Sequence, residues 1–379
     1  KQYYAQLTPL QHDWSLFVIL PEDTLLAQIN KNVTDTIIIA VIATIVAILS
    51  LYWIAGWLSN PLGQLTQNAQ LLKAYRFNEL KSIECPMAEM KTMNQLLMET
   101  RDSLVAFDRY VPTELVKQIV KGHHSLELGG EEKPITLLVS ALDKFSETCL
   151  TLDSKQQAHY LTRYQNEISR VLTHEQATIT TYLSDLVLAF WGAPLPYPNS
   201  PQLACRTALE CRQAMINLNR DLRSDNLAPF TQRMAIHFGH AIVGNFGSDH
   251  HLVYSAIGHE VNFALYLETL NARYGVPILI SEPTYQAVKK DFCCRWLDTI
   301  NPPHDEKQPM KIYELIGWRD DAISIEMESY IHRYEQALTH LHQQQWAVAY
   351  PLLQQLTQMR EHDPAVQYWL AQVQAQLPA

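Results

Sequence analysis

An uncharged apolar stretch near the N-terminus constrains this chain more than any other sequence feature. Residues 36–57 read TIIIAVIATIVAILSLYWIAGW and contain no Asp, Glu, Lys or Arg. A helix of about 22 residues rises about 33 Å, which is enough to cross the hydrocarbon core of a bilayer. Apolar helices buried in soluble domains are usually shorter. The stretch therefore predicts a transmembrane helix over residues 34–58.

The flanks of this predicted span indicate its orientation. Aromatic residues lie at its C-terminal end, where they favour the membrane interface (Tyr52, Trp53 and Trp57). Basic residues follow between positions 73 and 81, whereas acidic residues outnumber Lys31 just before the span. Because cytoplasmic flanks carry the excess of Lys and Arg, we expect a single span in a cell (inner) membrane with the C-terminal part in the cytoplasm.

The overall composition predicts folded domains rather than disorder. Hydrophobic residues make up 47% of the chain and charged residues 18%. The formal net charge is -10, which argues against nucleic acid as a partner because such a surface needs a basic face.

Residues 59–107 show two amphipathic segments directly after the span. Apolar residues recur at helical spacing in both of them: Leu62, Leu65, Ala69 and Leu72, then Met90, Met93, Leu97 and Leu104. Pro61 is expected at the start of the first helix, where its missing N–H costs little. Both stripes need an apolar partner, which a second copy of the chain would supply, so they favour dimerisation. A pair of solvated linker helices is the alternative.

From residue 108 onward, strands alternate with helices. Residues 135–142 form an apolar run, residues 155–175 an amphipathic helix, and residues 177–194 two strands around Ser184-Asp185. This pattern predicts an α+β domain over residues 108–318, with helices on one face of a mainly antiparallel sheet. Residues 319–379 predict three helices resembling one tetratricopeptide-type unit. Such a unit either caps a neighbouring domain or binds a partner.

Residues 107–317 resemble the catalytic domain of class III adenylate/guanylate cyclases. The motifs that carry the resemblance follow in the family's order: FDRYVPTELVKQIVKG, LELGGEEKPITLLVSALDKF, DLVLAFWGAP, AIHFGHAIVGNFGS, YSAIGHEVN and YGVPILISEPTY. The resemblance implies a ferredoxin-like α+β fold. Residues 59–107 resemble a HAMP linker and residues 1–33 the end of an extracytoplasmic Cache sensor domain. Together they suggest a Cache–transmembrane–HAMP–cyclase receptor.

In this family two divalent metal ions, Mg²⁺ or Mn²⁺, hold the nucleoside triphosphate through two Asp residues. The resemblance assigns one of these positions to Asp185, which is retained, and the other to Ala141, which has no oxygen to offer. Asp143 lies two residues further along the strand and is considered as a substitute ligand. No metal or other cofactor is expected if the domain is inactive.

The partner subunit supplies four further groups in this family. A Lys and an Asp read the base, and the resemblance places Thr181 and His259 at those positions. An Asn and an Arg stabilise the transition state. The Asn is retained as Asn262, whereas Tyr266 occupies the Arg position and lacks its charge and forked donors.

These substitutions predict a membrane-bound receptor whose cyclase domain is degenerate, with a regulatory or nucleotide-sensing role. We expect a homodimer, or a heterodimer with another cyclase domain, and binding of ATP or GTP. One alternative is an active adenylate cyclase that converts ATP to cAMP and pyrophosphate using Asp143, Asn262 and His259. Another is a scaffold that recruits a partner through its C-terminal helices.

Overall fold

The computed structural model describes residues 3–9, 15–85, 87–108, 128–150, 152–225, 227–248, 251–303, 309–319 and 325–376. The chain divides into two compact units, Lys1–Val111 and Pro112–Ala379. Residues 109–122, which hold most of the first cyclase-like motif, lie outside the described residues.

The first unit begins with an antiparallel hairpin and continues into a long helix. Strand β1 (Tyr3–Pro9) pairs with β2 (Ser15–Pro21), and helix α1 (Glu22–Lys73) follows directly. The segment Lys31–Lys73 is long and apolar enough to cross a membrane, and its most apolar window has a mean hydropathy of 2.7. It is the one such helix among the described residues, and a single helix of this kind gives only weak support for a span.

The predicted break between the membrane span and the first connector helix is wrong. Pro61 lies inside α1 rather than at the start of a new helix. Proline removes one backbone hydrogen bond from a helix interior, but α1 continues past Pro61 to Lys73. A short 3₁₀ turn (Phe77–Glu79) and helix α2 (Ala88–Asp108) complete the unit.

The two connector helices meet through a small core and a few amide hydrogen bonds. Leu65 is fully buried, and the amide of Asn68 donates to the Lys81 carbonyl oxygen at 2.8 Å. Leu62 and Met93, from the two predicted stripes, are instead 51% and 47% exposed. Part of each stripe therefore still lacks a partner within one chain, which agrees with the expected dimer.

The second unit is built on an eight-stranded sheet. Its strands are β3 (Gly129–Leu142), β4 (Thr178–Leu183), β5 (Leu186–Trp191), β6 (Gln232–Ser248), β7 (His251–Ile257), β8 (Ile278–Ser281), β9 (Phe292–Ile300) and β10 (Met310–Trp318). The strand order is β4-β5-β3-β6-β8-β10-β9, and β7 pairs with the long strand β6. Only the β6–β8 pairing among these is parallel.

The helices of this unit connect the strands and form the C-terminal tail. They are α3 (Phe145–Cys149), α4 (Ser154–His174), α5 (Ser200–Ser224), α6 (His259–Tyr274), α7 (Glu282–Val288), α8 (Ile325–His342), α9 (Trp346–Met359) and α10 (Pro364–Gln376).

Helix α4 shows how the sequence specifies one of these elements. Asp153 accepts a hydrogen bond from the Gln156 backbone N–H at 2.8 Å, and the Gln156 side chain accepts one from the Asp153 N–H at 3.0 Å. This reciprocal cap satisfies donors that a helix start leaves free. Tyr160, Tyr164 and Ile168 follow at intervals of four residues and are all buried, so the predicted amphipathic helix is confirmed.

Helices cover both faces of the sheet, so the prediction of helices on one face is wrong. Leu138 of β3 lies in a core with Tyr164 of α4 and Ala208 of α5. The next residue, Val139, points to the opposite face and lies in a core with Ala264 of α6. Because β8 runs parallel to β6, the chain between them must cross over the sheet, and α6 makes that crossing on the face left free by α4 and α5.

The three predicted C-terminal helices are confirmed, and they pack on the sheet. The rings of Tyr274 on α6 and Tyr368 on α10 lie 5.2 Å apart. The Trp369 indole N–H donates to the Leu297 carbonyl oxygen on β9 at 3.3 Å. Leu353 of α9 is buried in the same core. These contacts agree with the capping interpretation of the tail.

Candidate active site

The two expected metal-ligand positions lie side by side, and one of them carries a carboxylate while the other does not. Asp185 lies in the two-residue turn between β4 and β5, and its neighbour Ser184 has a φ of 53°. The Asp185 Oδ2 accepts a hydrogen bond from the backbone N–H of Leu142 at 3.2 Å. Leu142 directly follows Ala141, which is 3% exposed. The fold therefore brings Asp185 next to the position that the resemblance assigns to a second Asp, and the methyl group of Ala141 occupies that position.

Asp143, the considered substitute ligand, is already paired. Its Oδ1 accepts from the Arg233 guanidinium at 2.5 Å, and the same guanidinium donates through Nε to Glu268 Oε1 at 2.8 Å. A metal ion at Asp143 would have to displace this arginine or share a carboxylate with it. Its role as a ligand remains a prediction that this pairing disfavours.

The carboxylates around Arg233 interact unfavourably with one another. The pKa of Glu268 is raised, chiefly by burial and also by the charges of Asp185 and Asp143, although the charge and hydrogen bond of Arg233 oppose this shift. A two-metal centre needs more oxygen ligands than this arrangement supplies, because Ala141 offers none and Asp143 is bound to Arg233. The residues present do not fit a pair of catalytic metal ions.

The expected base-reading and transition-state positions fall on two elements. His259, Asn262 and Tyr266 share one side of α6 because their spacing of three and four residues matches the helical repeat. His259 and Asn262 are exposed, and Tyr266 is partly buried with its ring 6.5 Å from that of Phe263. Thr181 is exposed on the edge strand β4. The structure thus places the α6 residues together on an accessible surface, and their assigned roles remain predictions.

A buried histidine that is not among the expected site residues holds the first turn of α6 in place. His237 is 1% exposed, its Nδ1 bonds to the Ser281 hydroxyl at 2.8 Å, and its Nε2 bonds to the Glu260 carboxylate. Gly239 leaves room for Glu260, because a Cβ there would lie 2.7 Å from Glu260 Oε2. The available signal was an acidic residue in the first turn of a helix that follows a strand containing histidine. This pair holds the segment that carries His259.

The Glu260 contact predicts a specific dependence of stability on pH. The hydrogen bond from His237 and the charges of His237, His259 and His240 lower the pKa of Glu260 from 4.5, although burial opposes them. A lowered pKa in the folded state stabilises the protein above pH 4.5, and this contribution is lost as the pH falls through the lowered value. We therefore expect the melting temperature of the full native chain to fall more steeply than that of Glu260→Gln when the pH is lowered from 6 to 3.

A matched control separates this contact from general acid unfolding. Glu326 is exposed in the first turn of α8, and Glu326→Gln is expected to follow the native curve. Parallel curves for the native chain and Glu260→Gln below pH 4.5 would contradict the role of the contact.

Curated relatives of this chain are adenylate cyclases. Adenylate cyclase 1 of Rhizobium meliloti (strain 1021) is 28% identical over 322 residues, which cover 84% of this chain and 48% of that protein. An adenylate cyclase of Anabaena cylindrica is 22% identical over 316 residues, covering 76% of this chain and 61% of that protein. The similarities support a cyclase domain. No protein-family model matches the chain.

The fold of the second unit agrees with a solved structure. A bacterial light-regulated adenylyl cyclase aligns with a TM-score of 0.53 and 19% identity, covering 61% of this chain and 66% of that one. At this identity the likeness establishes the fold alone. The predicted α+β sheet is thereby confirmed. The chain spans about half to three fifths of the length of the curated relatives, so their activity is not transferred with the fold.

Proposed function

We propose that this protein is a membrane-bound signalling receptor whose cyclase domain has little or no turnover and acts in regulation or nucleotide sensing. The observation that carries the proposal is the site beside β3, where Asp185 stands next to Ala141 instead of a second carboxylate. In the family, the partner subunit completes the site with residues of its own. That half is also incomplete here, because Tyr266 occupies the position that the resemblance assigns to Arg.

The size of the expected loss supports inactivity. Removing one preorganised transition-state donor typically lowers a rate by about 10²–10³-fold. The loss of a metal carboxylate acts on the same developing charge and should cost at least as much. Each half of the site lacks one such group, so no pairing of two identical chains makes one complete site. Turnover about 10⁴–10⁶-fold below that of an intact cyclase follows if the losses are independent.

The membrane attachment and the dimer belong to the same proposal. Helix α1 could carry the span, and its C-terminal part with α2 would act as the HAMP-like connector. On the β6–β7 hairpin, Ile242 pairs with Ile257, and both side chains are 44% exposed while their neighbours Val243 and Ala256 are buried. An apolar pair left in solvent favours a contact with a second cyclase domain, in a homodimer or a heterodimer.

A direct assay of the native chain tests the proposal. The full chain in lipid nanodiscs, given ATP or GTP with Mg²⁺ or Mn²⁺, is expected to form cAMP or cGMP at least about 10⁴-fold more slowly than an intact cyclase. Mass spectrometry detects either product, and the Rhizobium meliloti relative measured in parallel provides the reference rate. The proposal would be overturned if the native chain turned over nucleotide at a rate comparable to that of the relative and if Asp185→Asn abolished this turnover.

That outcome would instead support an active adenylate cyclase with a remodelled site. The retained Asp185 and Asn262, together with the names of the curated relatives, are what favour this alternative. A scaffold role for the C-terminal helices is less favoured, because their apolar faces are used in the core shared with β9 and β10.

A further inference from the structure

A cleft between the cyclase sheet and the C-terminal helices has features of a ligand site. Its volume is about 550 Å³, within the range of small-molecule pockets. Arg212 of α5 lines one side, and Arg360 and His362 from the α9–α10 connection line the other. Val276, in the connection between α6 and β8, also lines the cleft. The cleft lies away from the candidate active site, and none of the residues assigned there lines it.

The acidic groups of the cleft are already paired with a buried arginine. Glu314 and Asp363 both bind the buried guanidinium of Arg295, and Asp363 also accepts from the Tyr330 hydroxyl at 2.7 Å and the Ala365 backbone N–H at 3.0 Å. Asp363 therefore has little remaining capacity to pair with a second cation, and the charge of Glu314 is already balanced by Arg295.

The two arginines at the rim, by contrast, have no carboxylate partner among the described residues. Arg212, Arg360 and His362 are exposed at the rim and form no ion pair there. Arg360 is held in place by the ring of Tyr330, 5.2 Å from its guanidinium carbon. Two free guanidinium groups facing one cleft can each donate paired hydrogen bonds to a phosphate or carboxylate. This is notable in a chain with a net charge of -10.

We infer that this cleft binds a small organic anion carrying a phosphate or carboxylate group. The guanidinium groups of Arg212 and Arg360 hold the anionic group, with His362 beside them. The organic part contacts Ile316 and Met327, which line the same cleft. An inorganic ion alone would leave most of the 550 Å³ unfilled. Because the ligand contacts α5 and the α9–α10 connection at once, its binding stabilises the attachment of the tail to the cyclase sheet.

The test uses the full chain in nanodiscs and three probes. Adenosine 5′-monophosphate represents an organic phosphate, citrate an organic carboxylate, and inorganic phosphate an ion without an organic part. At least one organic probe is expected to bind saturably by equilibrium dialysis and to raise the melting temperature. Arg212→Gln/Arg360→Gln is expected to weaken that binding about 10²-fold, since each change removes a charge-assisted contact. The single variants are expected to weaken it about 10-fold each.

A matched double variant controls for the loss of positive charge. Arg220 lies on α5 two turns beyond Arg212, and Arg333 lies on α8, and both are exposed. Arg220→Gln/Arg333→Gln is expected to leave binding unchanged.

Several results would overturn the inference. The first is that neither organic probe binds saturably at millimolar concentration. The second is that the native protein and the double variant Arg212→Gln/Arg360→Gln bind the probes equally well. The third is that inorganic phosphate binds as tightly as the organic probes. Binding that is lost instead in Asp185→Asn would place the ligand at the candidate active site and would also overturn it.

Discussion

Restoring the family's side chains at the four substituted positions is expected to raise cyclic-nucleotide production about 10⁴–10⁶-fold above that of the native chain. The substitutions are Ala141→Asp, Thr181→Lys, His259→Asp and Tyr266→Arg. The expectation rests on the retained backbone of the site, in which the Leu142 N–H still holds the Asp185 carboxylate at 3.2 Å. The measurement is cAMP and cGMP formation by the full chain with Mn²⁺ or Mg²⁺.

Metal binding gives a second readout that does not depend on turnover. Ala141→Asp places a second carboxylate beside Asp185, and two like charges at short distance destabilise the fold until a cation neutralises them. The melting temperature of this single variant is therefore expected to rise with added Mn²⁺ by more than that of the native chain. Equal responses of the two proteins to Mn²⁺ would show that the position does not serve as a ligand site.

A mixing experiment tests whether the site is shared between two chains. Ala141→Asp alone completes the metal half, whereas the other three substitutions complete the half expected from the partner subunit. Each variant alone is expected to remain near background, and a mixture of the two proteins is expected to be active. The matched control adds Asp185→Asn to the fourfold variant and should abolish its activity. A fourfold variant that is dimeric and responds to Mn²⁺ but forms no product would contradict the assigned roles.

The sequence predicts the sheet and the elements that carry the expected site residues, because these depend on local patterns, whereas the roles of those residues stay predictions. Alternating burial and a two-residue turn place Asp185 between β4 and β5, and the motif order places His259 and Asn262 on α6. The sequence could not reveal that Asp143 pairs with Arg233, since the two are 90 residues apart and meet only in the folded sheet. The same holds for the contact between His237 and Glu260.

Two larger errors have identifiable physical causes. The sequence predicts a helix boundary at Pro61 because proline disfavours helix interiors, yet the 52-residue helix α1 continues through this residue at the cost of a backbone hydrogen bond. The sequence predicts helices on one face of the sheet only. This prediction is wrong because β8 pairs in parallel with β6, and hydrophobic periodicity does not report such a non-local pairing.

The attachment of the tail to the cyclase sheet is expected to depend on Arg295. This residue of β9 is 4% exposed, and its guanidinium binds Glu314 on β10 at 2.7 Å and Asp363 before α10. Asp363 also caps α10, because its Oδ1 accepts from the backbone N–H groups of Ala365 and Val366 at 3.0 and 3.3 Å. Although burial raises the pKa of Asp363, the charge and hydrogen bonds of Arg295 lower it, so the carboxylate stays ionised. One side chain thus joins two strands to the start of the last helix.

Arg295→Met keeps most of the apolar stem but leaves the buried Asp363 and the partly buried Glu314 without a cation. Breaking a buried ion pair in this way typically costs about 3–5 kcal/mol, because the remaining charge has no compensation. Amide hydrogen exchange in α8 and α10, measured by mass spectrometry on the full chain, is expected to quicken by about 10²–10⁴-fold. Arg170→Met provides the control, since Arg170 forms an exposed pair with Glu167 and is 65% exposed. It should change exchange less than about 5-fold because exposed pairs contribute at most about 1 kcal/mol. If Arg295→Met left the exchange of α8 and α10 as slow as Arg170→Met does, the tail would be held by its apolar contacts alone.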